Sequence, residues 1–404
     1  MTNHVFKFFS SLRLTVVLLS LALILVFIGT MAQVKLGLYV AQFEYFRSLF
    51  IFWQPNGASW KIPVFPGGWL LGGLLLINLI AAHLKRFQLT KKKLGIFLIH
   101  AGLIFLLLGQ FFTELFQVES NMRLEEGQTR NYSEDARLHE VAIIDLSNPD
   151  RDEVVSIPES FVANQKVISH PKLPFTIRVK EYFENSREAE SMSDGVKMQA
   201  ANGKGSQAQF VEAPITAKMD EKNVPSALLE LVSDKESLGE WVASLWLNPQ
   251  TIEFNERTYK LVLRPIRYYH PYNITLLDFR HDLYPGTSKA KNFSSKIHLS
   301  DTARGEERDV LIRMNEPLRY AGKTYFQASF EPGKDNVTIL QVVRNPAAIT
   351  PYVACSLMGL GLLVQFLMHL IAFMKKAKNQ TAPVRNDSRK KTSTPVVAED
   401  RSAS

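Results

Sequence analysis

The chain has 404 residues, 46% of them hydrophobic and 21% charged, with a formal net charge of +8 and a single cysteine. One thiol leaves no disulfide framework, no C-x-x-C and no C-x-x-C-H, so the chain is neither a thiol reductase nor itself a c-type cytochrome. The positive charge flanks apolar runs and fills the C-terminal tail, which reads as membrane topology and not as nucleic-acid binding.

Four uncharged runs are long enough to cross about 30 Å of hydrocarbon: Leu14–Val34, Ile62–Leu84, Leu94–Thr113 and Ala347–Met374. They predict a membrane region over 1–113 with three helices (about 14–34, 65–84 and 94–113), a large domain over 114–346, a fourth helix over 347–374 and a basic disordered tail over 375–404. A cleaved secretory signal is the alternative for the first run. Its length and the poor small-x-small match in GTMAQV favour a retained helix. Lys85, Arg86, Lys91, Lys92 and Lys93 lie between the second and third runs, and Lys375, Lys376 and Lys378 follow the fourth. The positive-inside bias then puts both termini in the cytoplasm and the 114–346 domain outside it.

Between the first two runs lies a loop rich in aromatics, among them Tyr39, Phe43, Tyr45, Phe50, Phe52, Trp53 and Trp60. Such a segment lies in the outer interface of the bilayer or packs beneath the soluble domain; the sequence does not separate the two.

From about residue 118 the pattern changes to short alternating stretches such as HEVAIIDL, TIRVKEYF, TIEFNERTYKLVLRPI and KTYFQASF, separated by SNPD, ANGKG, HPYN and YPGT. Strand residues between turn signals, with no helical period, predict an extracytoplasmic all-β, sandwich-like domain. The polar stretch from Glu184 to Pro214 reads as a long loop or insertion. No G-x-S-x-G, H-E-x-x-H, Walker loop or post-strand G-x-G-x-x-G is present, so no catalytic constellation is assigned. His139, His170, His270, His281 and His298 lack metal-type spacing and read as ordinary surface or satisfied histidines. His270, in YYHPYN, is crowded by aromatics and is the one with some promise as a ligand contact.

The chemistry-bearing feature is inside the membrane. His100 sits in LGIFLIHAGLIFLLLG, where an ionisable ring is costly and usually functional. At 1.5 Å per residue it lies about 10 Å inside the cytoplasmic edge, and His369 lies about 9 Å inside the same edge. His83, two residues before Lys85, is close enough to the interface to snorkel. Imidazole ligates metals and haem iron, and Gly95, Ala101, Gly102 and Gly109 offer small residues that would admit a porphyrin face. The same residues equally suit plain helix packing, with His100 as a weak interhelical hydrogen bond. From the residues alone, haem ligation by His100, and less strongly by His369, stands beside that alternative. No deep carboxylate is available for a proton relay.

Four stretches resemble the ResB (CcsB) family of system II cytochrome c biogenesis. They are the opening FKFFSSLRLTVVLLSLALILVFIGTMAQ, the histidine-led HAGLIFLLLG, the segment RPIRYYHPYNITLLDFRHDLYPGTSKAKNFSS, and MNEPLRYAGKTYFQASFEPG running on to LQVVRNP. The resemblance implies an inner-membrane accessory protein, not an enzyme in its own right. It would work with a ResC/CcsA-type partner to carry haem across the membrane and present it to apocytochrome c. It also implies His100 as an axial ligand of a transient b-type haem, with the second ligand from the partner. Two other classes stay open: a b-type electron carrier with His100 and His369 on one haem, and a haem-free scaffold.

Overall fold

A computed structural model describes residues 2–55, 60–86, 90, 93–149, 151–190, 197–216, 221–233, 236–286, 290–331 and 333–380. The C-terminal tail beyond 380, and with it the disorder expected there, lies outside the described residues, as do Lys91 and Lys92.

The helices are α1 (Thr2–Phe9), α2 (Leu12–Ala41), α3 (Gly68–Arg86), α4 (Leu94–Phe116), the short α5 (Glu159–Asn164) and α6 (Thr350–Gln380). α2, α3, α4 and α6 are the four helices, among the described residues, long and apolar enough to cross a membrane. α2 runs further than its apolar block and is kinked at Gly37, whose φ of 76° is a non-helical conformation open to glycine. It then continues through a π-turn at Gln42–Phe46 into a small hairpin, Phe50–Trp53 with Ile62–Pro66.

The aromatic loop packs part of its side chains on the helices and leaves others exposed. Tyr45, Phe46 and Phe65 pack on Leu18, Leu25 and Leu71 of α2 and α3. Phe43, Phe52, Trp53 and Trp60 stay exposed. Tyr39 lies under the guanidinium of Arg137 from the β-domain, 4.0 Å from its ring centre.

Two devices hold the helices together. Asn78 of α3, buried in an apolar environment, donates to the carbonyls of Phe9 (2.6 Å) and Ser11 (3.2 Å) and accepts from Thr15 Oγ1 (2.6 Å). Its amide therefore clasps the α1–α2 link, with the polar atoms satisfied as a low-dielectric site requires. The second device is a glycine face. Gly95, Gly102 and Gly109 recur every seventh residue, so they line one side of α4, and all three are buried. A Cβ on Gly95 would come within 2.8 Å of the Gly361 carbonyl, and one on Gly102 within 2.7 Å of the Ala354 carbonyl. One on Gly109 would strike Thr350. α4 and α6 thus pack antiparallel with backbones in contact, as small-residue interfaces in membranes allow.

The β-domain is built on one ten-stranded antiparallel sheet. Its main path runs Glu306–Arg313, Ala290–Asp301, Arg257–Leu283, Thr129–Asp145, Val118–Glu125, Val337–Arg344, Lys323–Phe330 and Leu318–Tyr320, with Gln250–Phe254 and Glu153–Pro158 paired off it. The sheet curls on itself: Met122, Leu124, Ile274, Leu276, Ile297, Leu299, Ile312, Tyr325 and Leu340 from its successive strands share one core. A second core joins the 129–145 and 257–263 ladder to a four-stranded sheet of Val167–Ile168, Thr176–Phe183, Ser226–Val232 and Ser237–Ser244. The polar stretch read as a loop instead forms a three-stranded sheet, Ser186–Glu188, Phe210–Glu212 and Lys197–Met198. Its few apolar residues, Phe183, Met198, Ala200 and Phe210, bury against Val242. Strands of two or three residues carry too little alternation for a period to show.

The domain is tied to the helices where α4 and α6 meet it. Asn345 donates to Thr113 Oγ1 (3.2 Å) and Gln117 Oε1 (3.3 Å).

Candidate functional site

His100 is on the face of α4 turned away from the glycine contact with α6. Its Nδ1 lies 2.9 Å from the carbonyl oxygen of Ile96, one turn back on the same helix. A carbonyl accepts only, so Nδ1 carries the proton and Nε2 keeps its lone pair. A metal-binding histidine is commonly fixed in this way, with the far ring nitrogen donating to a backbone carbonyl and the near one presented as ligand. The ring is partly exposed.

The residue brought beside His100 is His83 of α3, with ring centroids 5.9 Å apart. His83 also leans on Phe97 at 5.1 Å. His83, Phe97 and His100 form an aromatic cluster between α3 and α4. His369 is elsewhere: it is exposed on α6, and its Nε2 pairs with Gln365 one turn before it at 2.8 Å. Because Gly95 faces Gly361 and Gln365, the antiparallel register carries His369 roughly 15 Å along the axis from His100 at 1.5 Å per residue. Counting from flanking lysines placed the two at one depth. The helix register separates them, because the stretches of α4 and α6 that face each other start at different distances from those lysines.

The glycine face serves helix packing, the alternative the sequence offered, and does not admit a porphyrin face. Gly95, Gly102 and Gly109 are filled by α6, so the surface of α4 open to a planar ring is the His83–Phe97–His100 side. The residues there fit an iron porphyrin in their chemistry: an orientated imidazole, a second imidazole and an aromatic ring in an apolar surround. Among the described residues no group of three or more His, Cys, Asp and Glu is arranged to hold a bare metal ion.

In the β-domain the histidines differ from one another. His298 bonds Asp309 at 2.9 Å, and Lys172 N–H donates to His170 Nδ1 at 3.3 Å. His139, buried, pairs with Glu159 at 2.7 Å beside a cavity of about 220 Å³ whose walls include Leu138, Tyr182 and Ile266. The hydroxyl of Tyr182 is held well above its usual range by burial and then by Glu159 and Glu184. His281 is stacked between Phe293 and Phe330, with its Nε2 buried and unpartnered.

His270 stands apart. The long strand Arg257–Leu283 pairs Tyr269 with Tyr132 and then Ile274 with Arg130, so residues 270–273 leave the ladder with Thr129–Asp145, while Asn273 already pairs with Ser300 on the other side. Pro271 has no N–H to donate there, and such excursions re-aim side chains. His270 turns inward and stacks on Tyr272 (5.5 Å, 15°), with Tyr325 edge-on at 6.3 Å. Lys323 Nζ contacts its Nδ1. Burial, and next the Lys323 charge, push the imidazole down to about 4. The hydroxyls of Tyr272 and Tyr325 bond each other at 2.7 Å. Crowding by tyrosines was visible in YYHPYN; Lys323 was not, being distant in sequence.

The fold and site thus define a membrane protein with a histidine held in ligand-ready form among its helices and a large all-β domain attached. Residues 250–339 match the ResB-like family model. A further relative is the protein NrfI of Wolinella succinogenes, 27% identical over 117 residues. That match covers 29% of this chain and 13% of NrfI, so the chain accounts for a small part of its relative's length. The likeness to the ResB-like family is that of residues 250–339. The family segment contains His270 and Lys323 but not His100. Among solved structures, a cytochrome c haem lyase, CcmF, is similar with a TM-score of 0.18 at 11% identity, over 73% of this chain and 30% of that one; a likeness at that score carries no argument.

Proposed function

We propose that the chain is the accessory half of an inner-membrane cytochrome c biogenesis complex, working with a ResC/CcsA-type partner to carry haem across the bilayer and present it to apocytochrome c. The observation that carries this reading is the His100 imidazole, fixed by Ile96 with Nε2 as its acceptor inside a membrane helix. The likeness of residues 250–339 to the ResB-like family supports the same role. When bound, haem would supply the iron that His100 ligates. The chain's own residues orient that ligand and, through the α4–α6 contact, hold its helix in place. No residue of the β-domain is needed for thioether formation. The reading keeps the β-domain and both its junctions with the helices on the non-cytoplasmic side.

The test is maturation of a c-type cytochrome in a host lacking its own system, supplied with this chain and its partner. Wild type yields covalent haem, and His100→Ala abolishes it while the protein still accumulates in the membrane. Full attachment by His100→Ala refutes the role.

A second reading, a b-type electron carrier, is favoured by one observation: His83 puts a second imidazole 5.9 Å from His100 within the same chain. It requires stable haem in this chain without a partner.

A further inference from the structure

The excursion at 270–273 and the hairpin tip at Ala321–Gly322 gather donors and positive charge. Ala321 (φ 48°) and Gly322 (φ 74°) are both left-handed, a tight tip, and Lys323 follows it with its ammonium 5.8 Å from the centre of the Tyr272 ring. Its ammonium reaches His270 Nδ1. Thr324 pairs with Val343, which sets Lys323 across from Arg344 on the neighbouring strand, and burial and then that charge hold Lys323 below its usual range. Among the described residues neither cation pairs with a carboxylate. Asp301, deeper in the same cluster, accepts from Tyr320 at 2.8 Å and pairs with Arg304.

His270 adds to the imbalance. With Nδ1 accepting from Lys323, its ring proton is on Nε2. His270 is only 5% exposed, and its buried Nε2 meets no hydrogen-bond partner among the described residues. An ammonium, a guanidinium and an orphaned N–H side by side leave like charges uncompensated in a partly desolvated place. Such an arrangement is unfavourable until an anion joins it.

The position says what kind of anion can reach it. Arg344 pairs in register with Val118, the first strand residue after α4. It immediately precedes Asn345, which is bonded to Thr113 and Gln117 of the α4 end. The cations therefore lie where the β-domain meets the helices, and Arg344 is exposed there.

We propose that Lys323 and Arg344, backed by His270, form a binding site for the oxyanion, carboxylate or phosphate, of a membrane-borne amphiphile. Guanidinium and ammonium groups match both anions. Two sources share that chemistry. One is the carboxylate of a porphyrin, which rests on the proposed function; the other is the phosphate of an anionic lipid.

The test uses the detergent-purified full chain as wild type, Arg344→Gln and Lys323→Met. The probes are iron protoporphyrin against its dimethyl ester, and short-chain phosphatidylglycerol against phosphatidylcholine. Wild type should prefer the free-acid porphyrin about tenfold, the scale of one or two charge-assisted bonds, and both variants should lose the preference. If the variants erase only the preference for phosphatidylglycerol, the site stands with a lipid phosphate as its ligand. No preference in wild type, or preferences that survive both substitutions, overturns the site. Because Arg344 is exposed, its variant keeps the test valid should Lys323→Met misfold. Unchanged preferences alongside a haem signal that still needs His100 would remove this site and leave the biogenesis role standing. Absence of haem from every preparation, with lipid preference lost in the variants, would do the reverse.

Discussion

Replacing Gly102 by alanine adds one methyl at the α4–α6 contact, and the outcome can be worked from the geometry. Its Cβ would lie 2.6 Å from Met358 Cγ, 2.7 Å from the Ala354 carbonyl and 3.1 Å from the Met358 nitrogen. The methionine side chain can move aside; the two backbone atoms cannot, so the helices must separate locally by about half an ångström or more. Overpacking of this kind costs about 1–3 kcal/mol. The matched control is Gly72→Ala or Gly73→Ala in α3, where an added Cβ meets nothing within 4 Å. There the change should be neutral or stabilising by up to about 1 kcal/mol, since alanine favours the helix. Reversible unfolding in mixed micelles measures both. Equal stability of Gly102→Ala and Gly72→Ala would refute the backbone contact and with it the assignment of the glycine face to α6.

Three further outcomes follow from buried polar groups. Arg264 bonds Glu140 at 2.8 Å with side chains 8% and 5% exposed, so Arg264→Met should cost about 3–5 kcal/mol by stranding the carboxylate. Adding Glu140→Gln should restore much of that in denaturant melts, and a single-variant cost under about 1 kcal/mol would contradict the burial. His270, held neutral with its pKa down at about 4, binds fewer protons folded than unfolded below the ordinary histidine range. Stability should therefore be complete above about pH 6.5 and fall as pH drops toward 4; His270→Phe should flatten that slope, and an unchanged slope would count against it. Arg137→Ala removes the cation over Tyr39, worth about 0.5–2 kcal/mol, and should speed hydrogen exchange at Leu38–Phe46 without altering the β-domain.

Much of the architecture was legible because membrane helices and sheet strands impose long, simple patterns. The four apolar blocks announce four helices, and alternation announces the all-β domain. What escaped was pairing between distant segments. Nothing in Asn78 alone shows that it reaches Phe9 and Ser11, and nothing in LGIFLIHAGLIFLLLG says that glycines face α6 while His100 faces His83. The match in depth between His100 and His369 rested on distance from lysines, which ignores helix register. The sheet at 186–212 was missed because its strands are too short to show a period. Lys323 was missed as His270's neighbour for the same reason as Asn78: the fold brings together residues far apart in sequence.

The most direct measurement is the optical spectrum of the purified protein, alone and with its ResC/CcsA-type partner, for wild type, His83→Ala and His100→Ala. Ligation by His100 in a site shared with the partner predicts a b-type haem signal chiefly in the co-purified complex, lost in His100→Ala and retained in His83→Ala. A haem signal of full strength in His100→Ala, or no haem in the wild-type complex, would contradict it.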